Sequence, residues 1–172
     1  MKVYKNFIDE SVLRILNSEI DAYLDPDKAP NGGRCWASSH VQWGSSLFDD
    51  ISGSCLSATP SPLVRAKVKV PLLKVLPKAN NININYHYWL PHSGINWHDD
   101  GGNIFGATLY LNDWNSTWGG LFLWEDKNED IRGICPRSGT LVVNETCEPH
   151  CVTQISTRAP YPRRSLQIWG KN

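Results

Sequence analysis

Asn81-Ile82-Asn83-Ile84-Asn85-Tyr86-His87-Tyr88 decides how the chain is read, because apolar and polar residues begin to alternate one by one here. A period of two puts Ile82, Ile84, Tyr86 and Tyr88 on one side of an extended segment. Asn81, Asn83, Asn85 and His87 fall on the other, the pattern of a half-buried strand. Downstream, short strands punctuated by turns are predicted at about 103–112, 119–125, 139–144, 150–156 and 163–169. Upstream the period is helical. Val12, Leu13, Ile15, Leu16, Ile20, Tyr23 and Leu24 recur every three or four residues, with Asp9 or Ser11 to cap the start and Asp25-Pro26 to stop it. Ser61-Pro62 opens a second helical pattern through Leu63, Val64, Val68, Leu72 and Leu76, in which Pro71 is expected to kink or split the helix. Helices followed by closely spaced strands predict an α+β, mostly β fold, a sandwich or jelly roll backed by N-terminal helices.

Residues 27–60 break both periods, with Gly, Ser, Asn and Pro interrupted by Trp36, Trp43 and Phe48. A long irregular segment of this kind predicts a lid or binding loop, and its aromatics favour a lid that packs on something. The 172 residues suit one domain, with helical support and lid over about 1–79 and a strand core over about 80–170. Seventeen basic and seventeen acidic side chains give a net charge of zero and no Lys/Arg block. That balance argues against a protein held by nucleic-acid phosphates or an anionic membrane. No apolar run approaches the ~18 residues a membrane span needs. The start, Met1-Lys2-Val3-Tyr4-Lys5-Asn6, has no secretory apolar core, and five cysteines cannot all pair within one chain. A reduced, cytoplasmic protein is expected, in which the sequons at Asn115 and Asn144 are chance matches.

The chemistry is sought among imidazoles and carboxylates. In Trp97-His98-Asp99-Asp100-Gly101-Gly102, an extended backbone would turn His98 and Asp100 to one face and Asp99 to the other. One strand can then offer a nitrogen and a carboxylate oxygen to one cation. His150, after the rigid approach Glu148-Pro149, is the best candidate for a third ligand. Two His and one carboxylate form the facial set that leaves positions open on non-haem Fe(II). His-x-Asp alone is common in polar loops, so a second feature matters. In Arg163-Arg164-Ser165-Leu166-Gln167-Ile168-Trp169, Arg163 and Ser165 would share a face. A guanidinium fork beside a hydroxyl suits a dicarboxylate's far carboxylate. His40, His87 and His92 read as surface or satisfied core residues. Cys147 and Cys151 flank His150 as zinc-type ligands or, with no second Cys/His pair nearby, as apolar filler.

These segments together resemble the Fe(II)/2-oxoglutarate-dependent dioxygenases, and within them the prolyl hydroxylases, over about 81–170. His98-Asp99-Asp100 is similar to the family's His-x-Asp, and Leu109-Tyr110-Leu111-Asn112-Asp113-Trp114 to its Tyr-Leu-Asn strand. Trp118-Gly119-Gly120-Leu121-Phe122-Leu123 resembles its Gly-Gly turn, and Pro136-Arg137-Ser138-Gly139-Thr140-Leu141 its Pro-x-x-Gly-x-Leu turn. Pro149-His150-Cys151-Val152 looks like the distal-His segment. Arg163 to Trp169 looks like the closing Arg-x-Ser strand with its Trp six residues on. All six arrive in the family's order.

The resemblance implies a double-stranded β-helix and an oxygenase that hydroxylates an unactivated C–H bond with release of succinate and CO2. His98, Asp100 and His150 would hold Fe(II). Arg163 would meet the far carboxylate of 2-oxoglutarate, with Ser165 and Tyr110 as hydrogen-bond donors. Tyr86 or Tyr88 would supply a further co-substrate tyrosine, and Thr108 would line the same cavity. O2 would be the second co-substrate and ascorbate a reductant. Arg158 stands at the shorter spacing from His150, but only Arg163 has Ser two residues on and Trp six residues on. Asp100 argues against the halogenase branch, which replaces that carboxylate. The implied substrate is a prolyl residue in a protein or peptide, with no membrane partner. The alternatives are an alkylated-nucleobase demethylase, on Ile95-Asn96-Trp97-His98-Asp99-Asp100, and a non-catalytic cupin-like binding module. The neutral charge disfavours nucleic acid.

Overall fold

The computed structural model describes residues 1–25, 37–39 and 51–172. In chain order the elements are β1 (Lys2–Tyr4), α1 (Glu10–Leu24), β2 (Ala37–Ser39), β3 (Ile51–Ser52), β4 (Cys55–Ala58), α2 (Pro62–Leu72) and β5 (Asn81–Trp89). They continue as β6 (Gly94–His98), β7 (Phe105–Tyr110), a 3-10 turn (Ser116–Trp118), β8 (Phe122–Glu125), β9 (Ile131–Ile134), β10 (Leu141–Asn144), β11 (His150–Val152) and β12 (Arg163–Lys171). The strands form a seven-stranded sheet, β1-β10-β7-β12-β5-β4-β2, and a five-stranded sheet, β3-β6-β11-β8-β9. Every pairing is antiparallel. The fold is α+β and mostly β, a jelly roll with helices on one side.

The larger sheet is buried on both faces, and its sequence shows why. Along β12, Leu166 and Ile168 point one way and Arg163, Ser165 and Gln167 the other. The apolar face meets Leu13, Leu16 and Ile20 of α1 and Val64, Val68 and Leu72 of α2 in one cluster with Ile84, Tyr86, Leu109 and Leu141. Arg164, on that outer face, reaches Asn17 at 3.2 Å and Asp21 at 2.7 Å, which ties α1 to the sheet. The polar face looks across to the smaller sheet, and the gap between the sheets is where a site can form.

Two expectations change. Pro71 neither kinks nor splits α2, which runs unbroken to Leu72. Proline there falls in the last turn, where the helix is ending and little of the backbone ladder is lost. Of the expected irregular segment 27–60, residues 51–52 and 55–58 are strands that extend the two sheets, β3 on β6 and β4 on β5. Trp36, Trp43 and Phe48, on which the lid was expected, lie outside the described residues, as does His40. Among the described residues no helix is long and apolar enough to cross a membrane.

Candidate metal centre and co-substrate cleft

His98 ends β6 and His150 begins β11, and the two are Cα partners in the antiparallel ladder. Partners in a ladder share a face, so the imidazoles meet with ring centroids 4.3 Å apart. Asp100, two residues past His98, brings its carboxylate back to them, with Oδ2 3.8 Å from His150 Nε2. One ligand atom from each of the three side chains lies within 4.8 Å of the others, and all three residues are buried. Asp99 points outward, its Oδ1 accepting from the Gly101 backbone N–H at 2.9 Å.

The neighbours of this trio prepare it for an ion. His98 Nδ1 lies 2.8 Å from the Asn96 carbonyl and His150 Nδ1 2.9 Å from the Glu148 carbonyl. A carbonyl oxygen only accepts, so each Nδ1 carries the hydrogen and each Nε2 keeps its lone pair for a metal. Asn144 clamps the turn before His150, donating to the Glu148 carbonyl and accepting from the Glu148 N–H, both at 2.8 Å. Phe122 stacks on the His150 ring at 5.1 Å. Burial, and then the neighbouring His98, push the His150 imidazole below its ordinary pKa despite the attraction of Asp100. A neutral imidazole is the ligating form. Two nitrogens and one carboxylate on one face fit Fe(II) with coordination positions left over.

The trio opens on a cleft of about 380 Å³ between the sheets. At its far end lies Arg163, only 2% exposed. Its Nη1 donates to the Gly120 carbonyl at 2.7 Å, and its guanidinium lies 4.8 Å from the Trp89 ring centre and 5.7 Å from that of Tyr110. Gly120 has φ +62°, and a side chain there would press on Ile155 at 3.0 Å, so glycine is what lets that carbonyl turn to the arginine. Arg163 Nε, Tyr110 Oη, Ser165 Oγ and Trp89 Nε1 are buried with no hydrogen-bond partner among the described residues. A buried cation ringed by unused donors is costly to leave empty. The arrangement suits an anion with several acceptor oxygens, and a carboxylate has that form. Burial pushes the Tyr110 phenol up to about 12, so it stays protonated and able to donate.

Several sequence expectations are placed by this geometry. Thr108 lines the cleft and donates to Gln167 Oε1 at 2.7 Å. Arg158 is exposed and does not line the cleft. Tyr86 and Tyr88 are corrected: neither lines it. Tyr86 Oη donates to Glu19 of α1 at 2.8 Å, and Tyr88 lies beneath the Arg164 guanidinium on the helix side. The two tyrosines share the phase of Ile82 and Ile84, whose apolar side must face the helices. The cleft face of β5 carries His87 and Trp89 instead. Burial, then the nearby Arg163, pushes His87 down to about 3. Its phase with the asparagines was the available signal. Cys147 and Cys151 join no metal-ligating group among the described residues. Both are free thiols, and Cys147 Sγ donates to the Asn103 carbonyl.

Residues 77–171 match the family model of the 2OG-Fe(II) oxygenase superfamily. The chain belongs to this superfamily. Fe(II), 2-oxoglutarate and O2 are therefore the metal and co-substrates of this oxygenase. Comparison with curated proteins finds no match. Among solved structures the oxygenase is similar to a prolyl-4-hydroxylase from Pseudomonas putida, with TM-score 0.71, 16% identity and coverage of 99% of this chain and 91% of that one. It is similar also to a prolyl hydroxylase from Trichoplax adhaerens, solved in complex with a hypoxia inducible factor peptide fragment, with TM-score 0.76, 15% identity and coverage of 99% and 82%. HygX from Streptomyces hygroscopicus, solved with nickel, 2-oxoglutarate and hygromycin B, superimposes with TM-score 0.68 at 12% identity, over 99% and 82% of the two chains. At these identities the likeness is one of fold.

Proposed function

We propose that this oxygenase is a hydroxylase of prolyl residues in a protein or peptide, the whole chain acting as one catalytic unit braced by its helices. One observation carries the reading. The His98-Asp100-His150 trio and the buried Arg163 guanidinium line one cleft, the two features that a metal-chelating diacid would need at its two ends. His98, Asp100 and His150 would hold Fe(II). Arg163 would take the far carboxylate of 2-oxoglutarate, with Tyr110 Oη and Ser165 Oγ donating to it. The bound metal, with 2-oxoglutarate and O2, supplies the oxidising power that places a hydroxyl on an unactivated C–H and releases succinate and CO2.

The chain's own part is placement and exclusion. The two backbone carbonyls hold the imidazoles in the ligating tautomer, and Phe122 fixes the plane of His150. Ile95, Phe122 and Val152 make an apolar wall of the cleft, keeping water from the reacting centre. The prolyl assignment is supported by the Tyr110-Leu111-Asn112 and Gly119-Gly120 segments and by the two prolyl hydroxylases of like fold. Succinate formation, assayed with Fe(II), 2-oxoglutarate and panels of proline-containing peptides, free amino acids and methylated oligonucleotides, tests it. Stimulation by the peptides alone is expected. Stimulation by the oligonucleotides alone would replace the prolyl reading with a demethylase, and no succinate under any condition would leave a binding module.

A further inference from the structure

α2 is apolar on two opposite faces. Val64, Val68 and Leu72 are buried in the cluster that joins the helices to the large sheet. Leu63, Ala66, Val70 and Leu73 are exposed. Leu63 at 66% and Val70 at 63% are the two most exposed large apolar side chains among the described residues. Leu73 follows the last helical residue but keeps a right-handed helical backbone, φ −61° and ψ −15°, so the stripe continues onto it. Its members recur at alternating steps of three and four residues over ~15 Å of axis, and at ~100° per residue they lie opposite the buried set.

The charges around this stripe are all of one sign. Arg65, Lys67, Lys69, Lys74 and Lys78 are exposed, and the ion pairs among the described residues involve none of them. No Asp or Glu occurs between Asp50 and Asp99, so the stretch is strongly basic in a chain whose net charge is zero. With Leu63 and Val70 at heptad position a and Ala66 and Leu73 at d, Lys67 falls at e and Lys69 at g. Lys74 repeats the e position just beyond the helix. These positions flank a helix–helix seam and choose the partner by charge. Val64, Leu72 and Val68 fall at b, c and f, so the core uses only positions that a seam leaves free.

We propose that the outer face of α2 docks an acidic amphipathic helix of a partner protein, apolar at its own a and d positions and carrying Glu or Asp at e and g. Charge and shape decide the occupant. A second copy of this chain would set lysines against lysines across the seam. A nucleic acid would bring phosphates onto the apolar stripe between the cations. A bilayer takes helices with a broad apolar face bearing Trp, Phe or Leu, whereas this stripe is a single seam with an alanine at its middle. A small residue there lets a second helix approach closely. α2 is already folded by its buried face, so only the partner loses conformational freedom on docking. The face lies on the far side of the large sheet from the cleft, and a docked helix leaves the metal and co-substrate residues open.

Two fluorescein-labelled peptides of about three heptads test the face on the full chain by anisotropy. One carries Leu at a and d with Glu at e and g; the other has Lys in place of every Glu. The Glu peptide is expected to bind, less tightly as salt rises, and the Lys peptide is expected not to. Val70→Gln should weaken the Kd of the Glu peptide about tenfold, the effect of losing one buried apolar side chain. Lys67→Glu combined with Lys69→Glu should reverse the preference, so that the Lys peptide binds instead. These substitutions leave the core-facing residues of α2 untouched. No binding of the Glu peptide, equal binding of the two peptides, or an unchanged affinity in Val70→Gln overturns the proposal. So does co-sedimentation with phosphatidylserine vesicles that Val70→Gln abolishes, which would give the face to a bilayer. A dimer in analytical ultracentrifugation that Val70→Gln dissociates would give it to a second copy and overturn the proposal equally.

Discussion

Gly106 stands directly against the carboxylate of Asp100: a Cβ at position 106 would overlap Asp100 Oδ2 and come within 3.0 Å of its Cγ. The glycine lies in β7, paired with Asn144 on one side and Trp169 on the other. The space it leaves is filled by the one carboxylate of the trio.

Gly106→Ala should therefore disable the metal site without touching a ligand. The backbone at position 106 is not among the positive-φ glycines, so alanine is tolerated by the strand. The carboxylate must move instead. Fe(II) affinity, read from the visible charge-transfer band on anaerobic titration with 2-oxoglutarate, should fall at least on the order of tenfold, as is typical when a ligand's support is lost. Far-UV circular dichroism should be unchanged. Wild-type affinity in the variant would remove Asp100 from the ligand set.

Arg163 and Arg158 should separate cleanly. Losing a buried, hydrogen-bonded charge pair costs ~2–5 kcal/mol, so Arg163→Ala should weaken 2-oxoglutarate binding on the order of a hundredfold. Arg158 is exposed, and its alanine variant should stay within about twofold, a surface change of a few tenths of a kcal/mol. Isothermal titration of the Fe(II)-loaded protein makes the comparison, and the opposite ranking would move the anion receptor to Arg158.

Tyr86→Phe tests the placement of the β5 tyrosines. The hydroxyl serves Glu19, which also accepts from the Ser61 backbone N–H at 3.2 Å and so joins α1 to the start of α2. Its loss should lower stability by about 1.5–3 kcal/mol, the range for a hydrogen bond to a charged group. The affinity for 2-oxoglutarate should not change. A co-substrate defect with unaltered stability would return Tyr86 to the cleft.

His87 should make the metal-free protein acid-sensitive. Its ordinary pKa of 6.5 is pushed down to about 3 by burial and then by Arg163. The folded-state value lies below the unfolded one, so the unfolded chain takes the proton first. Stability is complete above about pH 6.5 and is lost as pH falls toward the folded value. Between pH 7.5 and 5.0 this group should remove roughly 2 kcal/mol, at ~1.4 kcal/mol per pH unit below 6.5. Urea unfolding at the two pH values should show a smaller difference in His87→Gln than in the unaltered chain. An equal difference would assign the acid loss to other groups.

The helix-then-strand order, the central strands and the His98, Asp100, His150 and Arg163 positions were legible because each rests on local periodicity or on a motif. What was missed depends on contacts across the sheets. β9, Ile131-Arg132-Gly133-Ile134, mixes polar and apolar residues and is largely exposed, so no alternation announces it; β8 and a turn built on Asp126 make it a strand. The phase of β5 was read correctly. Which phase faces the cleft follows from the helices, which claim Ile84 and Tyr86 for their cluster. Gly106 could not be singled out, because its importance is the volume of a carboxylate from another part of the chain.

The imidazoles of His98 and His150 are oriented by backbone oxygens two residues earlier, which belong to the strands and their turns and not to an ion. The cradle is thus part of the scaffold itself. A cradle set by the strands in this way should accept an ion without refolding of the chain around it.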